Sequence, residues 1–241
     1  MTATSTRFGL IEDRAWRALS TVTDPELDEP LTTLGFVGRV ETDGRVVTAT
    51  LRLPTAFCSP NFAFMMAADS ADALRAEFPE MSTRVELEGN ADSERINSAV
   101  AAGVGFADAY PDEASSGLDD LRTIFRSKAH LASLERVIAI LVSIYAVVPE
   151  LLPSIRLKDV PPTQEREALV RRRSDLGISI DDNAFLLVNA DGSRWDTTDL
   201  AVQIRFAKAT RISIEGNAHF CRGLLRTRYD EPTYVPGPTS P

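Results

Sequence analysis

Residues 36–62, FVGRVETDGRVVTATLRLPTAFCSPNF, hold two apolar runs around Asp43-Gly44, then a cysteine loop that opens onto a helix. The second run alternates Val47, Ala49, Leu51 and Leu53 against Thr48, Thr50 and Arg52, the period of a strand with one buried face. Phe36 to Glu41 and Arg45 to Leu53 are therefore predicted to pair as a hairpin, Asp43-Gly44 suiting the positive φ angles of a two-residue type I′ turn. Ser59-Pro60 reads as the N-cap and first residue of a helix whose apolar face holds Phe62, Met65, Met66, Ala73 and Phe78. Upstream, apolar residues from Leu10 to Val22 recur at close to 3.6 residues and predict an amphipathic helix, stopped by Asp24-Pro25. Downstream, Arg84 to Glu88 is a third strand. Residues 9–90 thus read as helix, hairpin, helix and strand, a small α+β domain.

Residues 91–160 form a helical connecting region, broken early by Gly103 and Gly105 and followed by a linker from Asp112 to Gly117. Its main feature is a long helix from Leu118 to Val148, which becomes apolar on most faces toward its end and so needs cover, either as a packing element between domains or as a dimer seam. Residues 163–230 read as a second small α+β unit. Its elements are a helix Gln164 to Arg173, a strand Ala184 to Val188, a helix Thr198 to Lys208, a strand Arg211 to Glu215 and a helix Asn217 to Arg226. Residues 231–241, rich in proline, form a disordered tail. The fold class is α+β throughout.

In 241 residues, 26 Lys+Arg stand against 35 Asp+Glu, a net charge of −9, with Arg171 to Arg173 the one basic run. Phosphate contacts need a positive surface, so nucleic acid is not an expected partner. The three arginines complement the dipole at the end of their helix. A membrane is not expected either: the uncharged stretch Val137 to Pro149 has 13 residues, whereas a span needs about 20. MTATSTRFG lacks the basic and apolar regions of an export signal, and two cysteines make no disulfide framework, so the expected compartment is the cytoplasm, with reduced thiols. No nucleophile elbow, phosphate loop or H-E-x-x-H motif occurs. His130 and His219 are the only histidines, too few for a three-histidine zinc site. The expectation is a protein that is not an enzyme.

Three linked motifs carry more. Asp24-Pro25-Glu26-Leu27 is followed by Leu31-Thr32-Thr33-Leu34-Gly35-Phe36-Val37, and then by Pro54-Thr55-Ala56-Phe57-Cys58-Ser59-Pro60. Together they resemble the SufT/PaaD-like iron–sulfur cluster assembly family, over residues 10–90. One departure is that Phe57 and Ser59-Pro60 flank the cysteine where the family usually has Gly-Cys-Pro or Gly-Cys-Gly, which bears on the local loop geometry. The resemblance implies a cytoplasmic accessory factor that handles iron or an iron–sulfur cluster transiently through Cys58 and delivers it to a client apo-metalloprotein. The pattern looks most like the larger relatives that accompany bacterial multicomponent monooxygenases, which implies such a client.

Cys58 also has a physical case of its own, since a strand end leading to a helix start offers free backbone N–H groups and the positive end of a helix dipole to a thiolate. The alternative is a small buried thiol filling space below Phe57 and Phe62. Asp24, Glu26 and Thr55 are the candidates for oxygen ligands or loop-shaping groups beside it. Capping of the turn accounts for Asp24 and Glu26 without metal, and Thr55 either bonds the cysteine loop or caps the strand. For Cys221 and His219 the pattern favours a core cysteine and a surface or capping histidine over a metal site, since the two do not share a helix face. The rival to metal handling is a metal-free scaffold or assembly chaperone in which Cys58 is structural.

Overall fold

The structure, a computed structural model, describes residues 2–112 and 118–229, with backbone alone for 2–7. The expected linker and the tail fall mostly or wholly outside these residues. The chain divides into two compact units, residues 1–118 with 216–241, and residues 119–215. Mixed α+β architecture is confirmed.

In the first unit, α1 (Thr2–Leu19) precedes a one-turn helix α2 (Leu31–Leu34). The Leu34-Gly35 pair of the second motif ends α2: Gly35 takes a φ of 78°, and the Phe36 N–H bonds back to the Leu31 carbonyl at 2.9 Å. Strand β1 (Val37–Thr42) then pairs antiparallel with β2 (Val46–Arg52), after which α3 (Pro60–Glu77) crosses over to β3 (Ser82–Glu88). Strand β3 lies parallel to β2 in register from Val46↔Ser82 to Arg52↔Glu88, giving the order β1-β2-β3. Two short helices, α4 (Ser93–Ala102) and α5 (Phe106–Ala109), follow.

The hairpin forms as expected, but its connection is not type I′. Thr42 pairs with Val47, and of the two turn residues only Gly44 has positive φ. The Asp43 carboxylate accepts from the Arg45 and Val46 N–H groups, both at 2.8 Å, and widens the turn. One face of the sheet buries Val47, Ala49, Leu51, Val85 and Leu87 against Leu19 of α1 and Phe64 and Leu74 of α3.

In the second unit, α6 (Leu118–Ser143) stops five residues before the expected end. Its Leu134, Val137, Ile138 and Leu141 pack with Leu152, Leu157, Leu169, Leu186 and Trp195, whereas Ile144, Tyr145 and Val148 beyond it are exposed. Helix α7 (Gln164–Asp175) begins where expected, the Thr163 hydroxyl accepting from the Arg166 N–H at 3.2 Å.

The second α+β unit is a correction: among the described residues the C-terminal region has no strand. Residues 184–188 make only isolated bridges, Arg156↔Phe185 and Val188↔Arg194. The reason is Arg173. It stands in the last turn of α7, where the sequence put it, but it is fully buried, and its guanidinium donates to the Phe185 and Leu186 carbonyls at 3.0 and 2.6 Å, acceptors that a strand partner would otherwise use. The expected strand 211–215 lies inside a single helix, α8 (Leu200–Tyr229), where Arg211 and Glu215 form an i,i+4 pair at 2.6 Å. No helix among the described residues is long and apolar enough to cross a membrane.

Candidate functional site

The three motifs converge in the first unit. In the turn after α1, the Asp24 Oδ1 accepts from the N–H groups of Glu26 and Leu27, each at 2.8 Å, while the Asp24 N–H bonds to the Glu29 carbonyl at 2.9 Å. Asp24 is only 6% exposed, and burial outweighs these two bonds, pushing its carboxyl up to about 6; the nearby Glu26 and Glu29 charges add to the rise. Capping of the turn is thus one role of Asp24, and it leaves a buried negative charge. Both bonds end on Oδ1.

Cys58 sits where expected, in the loop between β2 and α3. Ser59 is the N-cap residue and Pro60 opens the helix, but the Ser59 hydroxyl bonds the Asn61 side chain and caps no backbone N–H. Thr55 Oγ1 lies 3.4 Å from the Cys58 sulfur and also accepts from the Phe57 N–H at 3.2 Å, so it shapes the cysteine loop. The Asn90 side-chain amide, from the turn after β3, donates to the Cys58 carbonyl at 3.1 Å and ties the loop to the sheet. Sequence reasoning did not single out Asn90. Cys58 itself is half-buried, and Phe57 does not cover it: that ring is 88% exposed.

The residue that sequence reasoning set aside is Cys221. It lies on the part of α8 that belongs to this unit, half-buried against the same hydrophobic core as Cys58. Its thiol is pushed up to about 11, by burial first and then by the negative charges of Asp24, Cys58 and Glu26, with Arg222 acting against them. Asp24, Glu26, Cys58 and Cys221 therefore share one electrostatic neighbourhood. His219 is exposed and takes no part in it. Among the described residues no three His, Cys, Asp or Glu side chains already stand as a metal-holding group.

No curated protein and no solved structure matches the chain. A family model does: residues 12–87, just under a third of the chain and running from the middle of α1 to β3, match the family described as iron-sulfur cluster assembly protein, so this segment of the first unit is similar to that family.

Proposed function

We propose that this protein is an accessory factor that delivers or inserts iron, or an iron–sulfur cluster, into a client apo-metalloprotein, with Cys58 holding that cargo transiently. What supports the reading is a coincidence. The segment matching the assembly family ends its second strand in a loop that presents a half-buried thiol, set by Thr55 and Asn90, beside an exposed Phe57. Transfer is then ligand exchange. The thiol proton leaves to solvent, the thiolate donates a sulfur lone pair to iron, and on delivery a client ligand replaces it with no change in oxidation state. No small substrate is turned over.

The resemblance of the N-terminal motifs to monooxygenase-associated relatives makes a multicomponent monooxygenase the client of choice. The work belongs in the cytoplasm, where thiols stay reduced, with neither nucleic acid nor membrane as partner. A homodimer is part of the same reading, tested by the mass of the protein in solution. The deciding experiment is anaerobic capture from the native host with iron quantified in the bound material. Iron and client should accompany the wild type, and iron should be lost from Cys58→Ser. Client captured equally by both without iron would instead make the protein a metal-free scaffold with a structural Cys58.

A further inference from the structure

We propose that the outward face of helix α8 is a docking groove for an amphipathic helix of a partner protein, one that carries a row of carboxylates along its edge. The inference goes beyond metal handling, needs neither Cys58 nor iron, and holds for an accessory factor and a metal-free scaffold alike.

The pattern of α8 is the first argument. Val202, Phe206, Ala209, Ser213, Gly216 and Phe220 follow one another at steps of four and three residues, the period of one helical face, and all are exposed. Phe206 and Phe220 are 66% and 65% exposed, and Val202 is more than half exposed beside them. The other side of the helix is already covered: Ala207 is buried in the core of the second unit, Ala218 and Leu225 in that of the first. One helix therefore has two apolar faces, and only one of them is packed. The open face runs for about 30 Å, long enough for a second helix of about 20 residues.

The small residues are the second. Gly216 and Gly223 lie inside α8, and where a Cβ would stand at either there is no atom within 4 Å. No close approach within the described residues demands glycine there, yet glycine weakens a helix interior. Between Phe206 and Phe220 the glycine, with Ala209 and Ser213, leaves a hollow that the side chains of a facing helix can enter.

Charge selects the occupant. Arg205, Ile212, His219 and Arg226 recur every seven residues along one edge of the open face, with Lys208 beside them. Arg205, Lys208 and Arg226 are exposed and pair with no carboxylate among the described residues. Glu215, the one acidic residue of α8, is held by Arg136 at 3.2 Å and Arg211 at 2.6 Å. A second copy of α8 thus brings no acid to the basic edge, and laid antiparallel it sets arginine against arginine. A helix with leucine-like residues facing the hollow and glutamate or aspartate along its edge satisfies both features.

The test uses the full chain and a fluorescently labelled synthetic helix of about three heptads, with leucine on one face and glutamate along both edges, beside a second peptide with lysine in place of glutamate. Anisotropy should show the glutamate helix bound and the lysine helix at least about tenfold weaker. Phe206→Ser and Phe220→Ser should each weaken binding about tenfold or more. Arg205→Glu combined with Lys208→Glu should do the same and flatten the dependence on salt. Gly216→Leu fills the hollow and should also weaken binding about tenfold, and all these variants should keep urea midpoints no lower than that of the wild type. Equal binding of the two peptides, or wild-type affinity in Phe206→Ser and Gly216→Leu, overturns the inference. Binding to phosphatidylserine vesicles instead of the glutamate helix, strengthened by Gly216→Leu, overturns it in favour of a membrane surface. A solution mass of two chains that Gly216→Leu returns to one overturns it in favour of a second copy. Each of these outcomes leaves the assembly-factor reading intact, because that reading stands or falls on iron and Cys58.

Discussion

Replacing Asp24 by Asn is expected to stabilise the protein. The carboxyl titrates at about 6 in the fold against an ordinary 3.8. For an acid with a raised folded pKa, the folded state binds more protons than the unfolded state between those values, so stability is lost as pH rises from about 4 to 6 and stays lost above. At pH 7 the ionised Asp24 therefore costs the fold about 3 kcal/mol, because each tenfold change in proton affinity between the two states is worth about 1.4 kcal/mol. Asn keeps an acceptor for the Glu26 and Leu27 N–H groups and removes the charge, so Asp24→Asn should gain about 2–3 kcal/mol at pH 7, with the gain vanishing near pH 4. The chain carries its two tryptophans at Trp16 and Trp195, one in each unit. In a Trp195→Phe background, urea unfolding followed by Trp16 fluorescence reports the first unit, and the variant-minus-parent difference at each pH isolates Asp24. A difference that does not change between pH 4 and 7, or a variant less stable than its parent at pH 7, would refute the idea of an uncompensated buried charge.

Other expectations concern both units. His130 is 1% exposed, and burial, with the Arg173 charge behind it, pushes its imidazole down to about 4. Its contribution is complete above the ordinary 6.5 and falls away as pH drops through 6 toward 4, by up to about 3 kcal/mol, so Trp195-monitored unfolding should weaken over that range and His130→Gln should flatten the slope. Leu141 is 2% exposed in the core of the second unit. Leu141→Asp should unfold that unit, since it loses about 1.5–3 kcal/mol of apolar burial and leaves a carboxylate without a partner; an unchanged urea midpoint would show the face to be solvated. Phe57→Ser, at an 88% exposed position, should change the unfolding free energy by no more than about 0.5 kcal/mol. It should nevertheless lower client metallation in cells, and full metallation would show that the ring takes no part in docking.

The N-terminal domain was legible because its signals are local. The alternation in β2 and the Ser59-Pro60 start of α3 each act within a few residues, and each is where the sequence placed it, whereas the one-turn α2 that Gly35 ends was not foreseen. The C-terminal error has an equally physical source. Arg211 to Glu215 alternates charged and small residues with isoleucine over five positions and so mimics a strand, yet Ile204, Ala207, Ile214, Ala218, Cys221 and Leu225 keep helical spacing straight through it. Gly216, which suggests a break, has no neighbouring atoms within 4 Å of where a Cβ would stand and sits inside the helix. Reading that period across the glycine aligns Cys221 with Ala218 and Leu225 as part of a buried face. It still would not reveal what that face meets: the flanking Arg222–Glu29 pair joins residues 193 apart, and no local pattern encodes a contact of that range. The Asp-Pro-Glu motif carries the same lesson in reverse. Its turn geometry was readable from sequence, but the burial that pushes the Asp24 carboxyl up exists only once the first unit has packed around the turn.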